Sequence, residues 1–342
     1  TATAELLQKL AQTPKLDSNR YQVEGEVDRG GMGAILRIRD GHLNRRLAMK
    51  VLLPRQAPRN DEQQKLAHQI LGRFLEEAQV TSQLDHPGVV PVHELGLDQN
   101  GRVFFTMRLV KGKNAGEIFQ QARAAEDGWT PTRALDVILK VCDTMSYAHE
   151  KGVLHRDLKP QNIMVGRFGE VYVMDWGLAK VLRQAARNEA CVAAADGPED
   201  PWVETVRMRD AEEDGDGTMV TGRHHALGTP SYMAPEQARR EVLDARVDVY
   251  AIGAMLYQLL TGQAPYVVPG VKQFARDIIK QVGEGPPRRI EDLAKEAPVE
   301  LVAIAEKAMQ RDREQRYASA VELATDLRAF LDQRSVKAYR TG

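Results

Sequence analysis

The HRDLKPQN sequence at 155–162 brings together side chains that suit the transfer of a phosphoryl group. Such a transfer needs a carboxylate that accepts or orients the attacking hydroxyl, a cation near the moving group and an oxygen ligand for Mg²⁺. Asp157, Lys159 and Asn162 supply these groups. The spacing predicts a catalytic loop with Asp157 as the catalytic carboxylate and Asn162 as a metal ligand, while His155 is expected to pack beneath the loop.

A second carboxylate, Asp175, follows the strand-like VYVM sequence and precedes Trp176 and Gly177. Mg²⁺ prefers carboxylate and phosphate oxygens, so a carboxylate at a strand end can hold a metal that bridges the phosphates of ATP. An isolated Asp-Trp-Gly sequence is usually a turn. Its place after residues 155–162 favours Asp175 as the second Mg²⁺ ligand.

A glycine-rich segment, VDRGGMGAI, lies between two strand-like sequences. Gly30, Gly31 and Gly33 would let backbone amides approach phosphate oxygens without a side chain in the way. A glycine-rich hairpin turn is the alternative. Phosphate binding is favoured because LAMK follows on the next strand and places Lys50 where it would reach the ATP phosphates.

Glu77, in the RFLEEAQV sequence, is the carboxylate expected to pair with Lys50 and hold it toward the phosphates. The neighbouring Glu76 is the competing candidate. The FxxEA pattern favours Glu77, whereas Glu76 suits the solvent-exposed face of an amphipathic helix.

These residues must be positioned by a small β-rich unit followed by a larger helical one. From Tyr21 to about Val110, short alternating apolar sequences are broken by turns. One long helical pattern, from about Asp61 to Leu84, interrupts them, so we predict an antiparallel sheet with a single helix. After Gly112 apolar residues recur at helical spacing. Helices are predicted at 133–151, 244–262, 272–282, 299–310 and 319–332.

The predicted fold class is therefore α+β, with two lobes. Leu6, Leu7 and Leu10 predict a short helix in an N-terminal extension at 1–20. Residues 183–217 have no clear periodicity and contain the acidic AEEDGDG sequence, so we expect an insertion that is disordered in the resting state.

The composition excludes several classes of protein. The chain of 342 residues is 43% apolar and 28% charged, and its formal net charge of -1 gives no reason to expect a nucleic acid partner. No apolar run approaches the about 18 residues that a membrane-spanning helix needs, and no signal peptide is recognisable. Cys142 and Cys191 stand at no metal or redox spacing, which favours a reducing, cytoplasmic compartment.

Together the motifs resemble the protein kinase family, in the order glycine loop, strand lysine, helix glutamate, HRD, DFG and APE. The resemblance covers residues 21–332 and extends to the bacterial serine/threonine kinases through GTPSYMAPEQA and HPGVVPVHELG. It implies a bilobal kinase fold, with a smaller lobe at about 21–110 and a larger lobe at about 112–332.

The resemblance also implies two structural contacts. Glu236 of the APE motif should pair with Arg316, and Asp248 should brace the backbone of the catalytic loop. Neither residue would take part in the chemistry.

ATP and Mg²⁺ are the implied substrate and cofactor. Met107 would be the gatekeeper, and Arg108 to Val110 the hinge. The apolar walls of the adenine pocket would be Val27, Ile35, Ala48 and Met164. Lys159 after HRDL and Thr229 in GTPSY are similar to the residues of serine/threonine kinases rather than tyrosine kinases. The implied acceptors are therefore serine and threonine hydroxyls of proteins.

Regulation by phosphorylation is a further expectation. Arg156 suggests a site for a phosphorylated activation segment, since a guanidinium binds phosphate oxygens through two hydrogen bonds. Thr221 is the preferred phosphosite and Thr218 the next. Phosphorylation between two copies would order the loop and raise activity, which implies self-association. The insertion at 183–217 is alternatively an inert excursion, a docking element or an autoinhibitory flap.

Two residues depart from the common family pattern. Asp28 stands where the first glycine of the loop is usual, and a carboxylate there could stiffen the loop or oppose phosphate unless it points outward. Trp176 replaces phenylalanine and should fill an apolar socket between the lobes. Asp28 and the enlarged activation segment make an ATP-binding pseudokinase scaffold an alternative, which the intact catalytic residues oppose. A small-molecule kinase of related fold is another, opposed by the HRDLK, GTPSY and APE sequences.

The C-terminal RSVKAYRTG sequence lies within a basic tail at 333–342. It resembles the juxtamembrane start of many bacterial receptor kinases. This implies a membrane anchor outside the present sequence, with the kinase domain on the cytoplasmic side. A solvated terminus is the simpler alternative.

Overall fold

The computed structural model describes residues 2–12, 20–30, 33–53, 60–181 and 230–339. Within these ranges the chain forms a smaller β-rich lobe and a larger, mainly helical lobe, which confirms the predicted α+β fold class. Gly31, Thr218, Thr221, Thr229 and the predicted insertion at 183–217 lie outside the described residues.

A five-stranded antiparallel sheet, in the order β1-β2-β3-β5-β4, forms most of the smaller lobe. Its strands are β1 (Tyr21–Arg29), β2 (Gly33–Asp40), β3 (Arg45–Leu52), β4 (Val92–Leu97) and β5 (Val103–Arg108). The central strands contribute side chains to a hydrophobic cluster on each face of the sheet, one containing Phe105 and the other Phe104. β4 was not predicted, because its VHELGL sequence has a single β-branched residue.

The long helix α2 (Asp61–Gln83) confirms the one long helix predicted for this lobe. Asn60 caps its N-terminus, where its side chain accepts a hydrogen bond from the backbone N–H of Gln63 at 2.8 Å. Its C-terminal half packs on the sheet, with the rings of Phe74 and Phe105 5.2 Å apart. The helix is thereby held over β5.

The N-terminal helix α1 (Ala2–Gln12) confirms the predicted short helix. It packs against β4. Leu6 and Leu7 are half-buried against the cluster that contains Phe105. The helix is therefore a packed part of the smaller lobe.

Helices dominate the larger lobe. They are α3 (Ala115–Ala124), α4 (Pro131–Glu150), α5 (Pro235–Ala238), α6 (Arg246–Thr261), α7 (Ala275–Glu284), α8 (Ile290–Leu293), α9 (Val299–Ala308) and α10 (Ala320–Leu331). All five predicted helices are present. α3 was not predicted, although the capping box of Asn114 and Glu117 marks its N-terminus. α6 is buried on nearly every side, so it forms the centre of the lobe.

Five short strands hold the loops that carry functional side chains. They are β6 (Gly112–Asn114), β7 (Val153–Leu154), β8 (Ile163–Gly166), β9 (Val171–Val173) and β10 (Lys180–Val181). β8 and β9 form an antiparallel hairpin. Just after β9, the N–H of Met174 donates to the carbonyl of Asn162 at 2.7 Å. This hydrogen bond places the backbone of Asp175, the next residue, close to that of Asn162, the other predicted metal ligand.

The polypeptide after α10 packs back onto the larger lobe. Val336 is only 3% exposed. The N–H groups of Lys337 and Ala338 both donate to the buried Asp326 at 3.0 Å. The described part of the tail at 333–342 is therefore not a simple solvated terminus.

Candidate active site

In the catalytic loop, Lys159 and Asn162 both contact Asp157. The Lys159 ammonium lies 2.7 Å from Oδ2 of Asp157. The Asn162 side-chain amide donates to the Asp157 carbonyl at 2.8 Å and to its Oδ2 at 3.2 Å. A 3₁₀ turn, Pro160–Asn162, brings Asn162 back toward Asp157. These contacts fix the orientation of the carboxylate.

Burial raises the pKa of the Asp157 carboxyl, and the Lys159 ammonium acts in the opposite direction. A carboxylate with a raised pKa is a stronger proton acceptor than an ordinary aspartate. Asp157 therefore lies in an environment suited to a general base.

Asp248, on α6, holds the backbone of the catalytic loop. Its Oδ2 accepts the N–H of His155 and its Oδ1 that of Arg156, both at 2.9 Å. His149 Nε2 lies 2.8 Å from the same Oδ2. Burial alone would raise the pKa of Asp248, but His149 and the loop N–H groups hold it below its ordinary value. The predicted bracing contact is confirmed.

His155 is fully buried, as predicted. Its Nε2 lies 2.9 Å from the Met174 carbonyl oxygen, and its ring lies 4.7 Å from the ring of Trp176. Trp176 fills the predicted apolar socket, and its indole N–H donates to the carbonyl of Val173 at 3.2 Å. These contacts join the catalytic loop to the segment that carries Asp175.

Lys50 of β3 and Glu77 of α2 form the predicted ion pair, with Nζ 2.5 Å and 2.7 Å from the two carboxylate oxygens. Asp175 Oδ1 lies 3.8 Å from the same Nζ. Burial alone would lower the pKa of Lys50, but the charges of Glu77 and Asp175 raise it above the ordinary lysine value. Lys50 therefore remains an ammonium group.

The prediction that Glu76 lies on a solvent-exposed face is wrong. Glu76 is 7% exposed, because the sheet and its neighbours enclose the C-terminal half of α2 and bury all of residues 74–78. Glu76 has interactions of its own. The ion pair with Lys50 is made by Glu77.

A cavity of about 370 Å³ lies between the lobes. The predicted site residues that line it are Val27, Gly30, Gly33, Ile35, Ala48, Lys50, Glu77, Met107, Arg108, Val110, Asn162, Met164 and Asp175. The sequence did not predict six further lining residues, which are Thr81, Val90, Phe105, Gln161, Val173 and Met174. Gln161 belongs to the HRDLKPQN sequence, and Val173 and Met174 directly precede Asp175. Thr81, Val90 and Phe105 belong to no motif, since tertiary packing alone brings them to the cavity.

The glycine loop closes one side of this cavity. A Cβ at Gly33 would lie 2.5 Å from the carbonyl oxygen of Val51, so the position requires glycine. The N–H of Gly30 donates to the Gly33 carbonyl at 2.9 Å. Asp28 is exposed and accepts the N–H of Arg29 at 2.8 Å. Its carboxylate is thus tied to local backbone at the cavity edge.

Asp175 and Asn162 present oxygen atoms that fit a Mg²⁺ site. Asp175 adopts a left-handed backbone conformation (φ 61°), and its side chain is 46% exposed. Within the described ranges, no three or more His, Cys, Asp and Glu side chains form a metal cluster by themselves. A hard cation held here would complete its coordination with phosphate and water oxygens.

Two cationic side chains lie beside the catalytic loop. The Arg156 Nε donates to the carbonyl of Leu178 at 2.6 Å, and its Nη2 to that of Ala179 at 3.3 Å. Burial and the charge of Arg156 lower the pKa of Lys180. The sequence did not predict Lys180, because only the pairing of β10 with β7 brings it next to Arg156.

A known protein family matches most of the chain. The family description "Protein kinase domain" fits residues 21–327. Among curated proteins, the chain is 32% identical over 329 residues to serine/threonine-protein kinase PknD of Protochlamydia amoebophila, covering 94% of this chain and 31% of that protein.

Two other relatives have similar names. Serine/threonine-protein kinase PknB of Mycolicibacterium smegmatis is 31% identical over 318 residues, which covers 92% of this chain and 43% of that protein. Probable serine/threonine-protein kinase SCO3848 of Streptomyces coelicolor is 30% identical over 328 residues, with 95% and 42% covered. The chain spans less than half the length of these relatives.

Proposed function

We propose that this chain, which belongs to the protein kinase family, is a serine/threonine protein kinase that transfers the γ-phosphoryl group of MgATP to protein hydroxyls. One observation carries the proposal. The Lys50–Glu77 pair, Asp175 and Asn162 line one cavity, and Asn162 is hydrogen-bonded to the buried carboxylate Asp157. The cavity thus combines a phosphate-aligning cation, metal-binding oxygens and an adjacent base.

Each side chain has a distinct task in this mechanism. The Lys50 ammonium, held by Glu77, binds and aligns the phosphates of ATP. Asp157 orients the acceptor hydroxyl and receives its proton, while Lys159 stabilises negative charge near the transferring group.

Nucleotide binding uses the remaining residues. Mg²⁺, held by Asn162 and Asp175, would neutralise charge on the phosphate oxygens when bound. The apolar lining, including Ala48 and Met164, receives the adenine ring, and the hinge backbone from Arg108 to Val110 offers it hydrogen-bonding groups.

The test is transfer of labelled γ-phosphate from MgATP to the chain and to a generic serine/threonine acceptor. The wild type should label both, and phosphoserine or phosphothreonine should be recovered. Asp157→Asn should lower turnover by about three orders of magnitude while a MgATP-induced thermal shift persists, because the change affects the transfer step alone. Asp143→Asn, a surface aspartate paired with Arg328, is the matched control and should stay active.

A different result would favour the alternative function. If neither the wild type nor Asp157→Asn transfers label, although MgATP still raises the melting temperature of both, the chain binds nucleotide as a pseudokinase scaffold.

We also propose that phosphorylation at Thr221, or next at Thr218, activates the enzyme, with Thr229 as a further regulatory residue. The charge of Arg156 supports this, because it lowers the pKa of Lys180 and a phosphate placed near both cations would relieve their repulsion. Self-association would allow one copy to phosphorylate another. A chain inactivated by Asp157→Asn should therefore acquire label at these threonines when mixed with wild type, and absence of that label would contradict the proposal.

We further propose that the kinase domain lies on the cytoplasmic side of a membrane-anchored protein. The support is the likeness of RSVKAYRTG to juxtamembrane sequences of bacterial receptor kinases. Among the described helices, none is long and apolar enough to cross a membrane. Fractionation of cells that express the full-length parent is the test, and recovery entirely outside the membrane fraction would contradict it.

A further inference from the structure

Helix α1 lies on the side of the smaller lobe that also supports α2. Both α1 and α2 pack against β4. Leu6 and Leu7 of α1 are half-buried against the smaller lobe's hydrophobic cluster, whereas Gln8 and Ala11 of the same helix are exposed. α1 therefore uses one apolar face to cover part of this cluster.

The same cluster determines where α2 sits. Phe74, Leu75 and Ala78 of α2 are cluster members, and Glu77 lies between two of them in the sequence. A shift of α2 relative to the sheet would move the Glu77 carboxylate away from Lys50, whose Nζ it contacts at 2.5 Å. The geometry of the ion pair is thus tied to the packing of the cluster.

We propose that α1 positions Glu77 for its ion pair with Lys50, which makes Leu6 and Leu7 positioning residues for the phosphoryl transfer. The inference rests on the proposed kinase activity. The two leucines supply apolar cover to a close-packed cluster, and loss of that cover exposes it to water and permits α2 to repack. α1 acts only through α2, since Leu6 and Leu7 are absent from the lining of the nucleotide cavity.

The first test compares substitutions on the two faces of α1 in the full chain. Leu6→Asp/Leu7→Asp should lower kcat/KM for ATP by on the order of tenfold, because charged side chains cannot cover the cluster. Gln8→Asp/Ala11→Asp, on the exposed face, should leave kcat/KM unchanged. Leu6→Met/Leu7→Met should retain activity, since it keeps apolar cover of similar volume.

A double-mutant cycle separates positioning from general stability. In a Glu77→Gln background the ion pair is already lost, so Leu6→Asp/Leu7→Asp should cause little further decrease. Ile38→Val, in the cluster on the opposite face of the sheet, is the stability control. Ile38→Val should change kcat/KM by the same factor in the wild-type and Glu77→Gln backgrounds. All assays are made at a temperature well below the unfolding midpoint of each variant.

Two results would overturn the inference while leaving the proposed function intact. One is an active wild type whose kcat/KM is unchanged by Leu6→Asp/Leu7→Asp. The other is a decrease in kcat/KM from Leu6→Asp/Leu7→Asp that is as large in the Glu77→Gln background as in the wild type, which would mean that α1 does not act through Glu77. A wild type that transfers no phosphate would instead overturn the proposed function, and this inference with it.

Discussion

Arg316 forms a doubly hydrogen-bonded ion pair with Glu236 in the interior of the larger lobe. Its Nη1 and Nη2 donate to Oε1 and Oε2 at 2.6 Å and 2.7 Å, and the two side chains are 0% and 5% exposed. Arg316 also donates to the carbonyls of Gln310 and Arg246. The pair predicted from the family resemblance is confirmed, and it ties α5 to the segment after α9.

Breaking this pair should be costly. Arg316→Ala leaves the Glu236 carboxylate buried without its partner, so the free energy of unfolding should fall by about 3–5 kcal/mol. Urea denaturation would measure it. Arg334→Ala, which removes an exposed ion pair with Asp332, is the control and should change stability by less than about 0.5 kcal/mol. Similar small effects for both variants would contradict the prediction.

Removing the charge of Glu77 should impair catalysis more than folding. With Glu77→Gln the Lys50 ammonium loses its main stabilising charge, and burial then acts to lower its pKa. We expect turnover with MgATP to fall by more than about tenfold. Glu62→Gln, on the exposed first turn of α2, should have no such effect. Equal turnover for the two variants would exclude an aligning role for the pair.

The acidic limb of the pH–rate profile should report Asp157. Burial raises the pKa of Asp157. As the pH is lowered, turnover should therefore begin to fall at a higher pH than the value of about 4 at which an ordinary aspartate titrates. The Lys159 ammonium lowers that pKa by favouring the carboxylate. Lys159→Met should therefore move the limb to higher pH, whatever it does to the maximal rate.

The control for this profile is Lys113→Met, since Lys113 pairs with an exposed carboxylate, Asp127, rather than with Asp157. Its acidic limb should match that of the wild type. A limb that stays in place or moves to lower pH in Lys159→Met would show that Asp157 is not the titrating group.

Trp176 should contribute stability beyond what phenylalanine would give. Trp176→Phe keeps most of the ring contact with His155 but removes the indole N–H that donates to Val173, so we expect a loss of about 1 kcal/mol. Thermal unfolding would measure it, with kinase activity retained. A loss above about 3 kcal/mol would indicate that the packing of the ring itself had failed.

The sequence predicted the residues that motifs mark and the elements with strong periodicity. Asp157, Asn162 and Asp175 could be singled out because their types and spacing match the motifs of the protein kinase family. Burial was harder to predict: Glu76 looked exposed because it is charged, yet the packing of α2 encloses it. Lys180 lacked any local signal, since only the pairing of β10 with β7 brings it opposite Leu154, at the start of the catalytic loop.

The α1 helix illustrates the same limit at the level of elements. Its spacing of leucines predicted a helix, but no property of residues 2–12 indicated which surface they would cover. That surface includes β4, whose own sequence did not predict a strand. Where an element has a weak sequence pattern, the element it packs against can be identified only from the complete fold.

Asp248 accepts hydrogen bonds from the N–H groups of His155 and Arg156, and these bonds should make the catalytic loop unfold together with α6. Because α6 is buried on nearly every side, it should open only when the whole larger lobe unfolds. The amide protons of His155 and Arg156 should therefore exchange with solvent deuterium as slowly as those of α6, although they lie in a loop. Asp157, which directly follows these two residues, would then keep its position during local opening elsewhere in the chain.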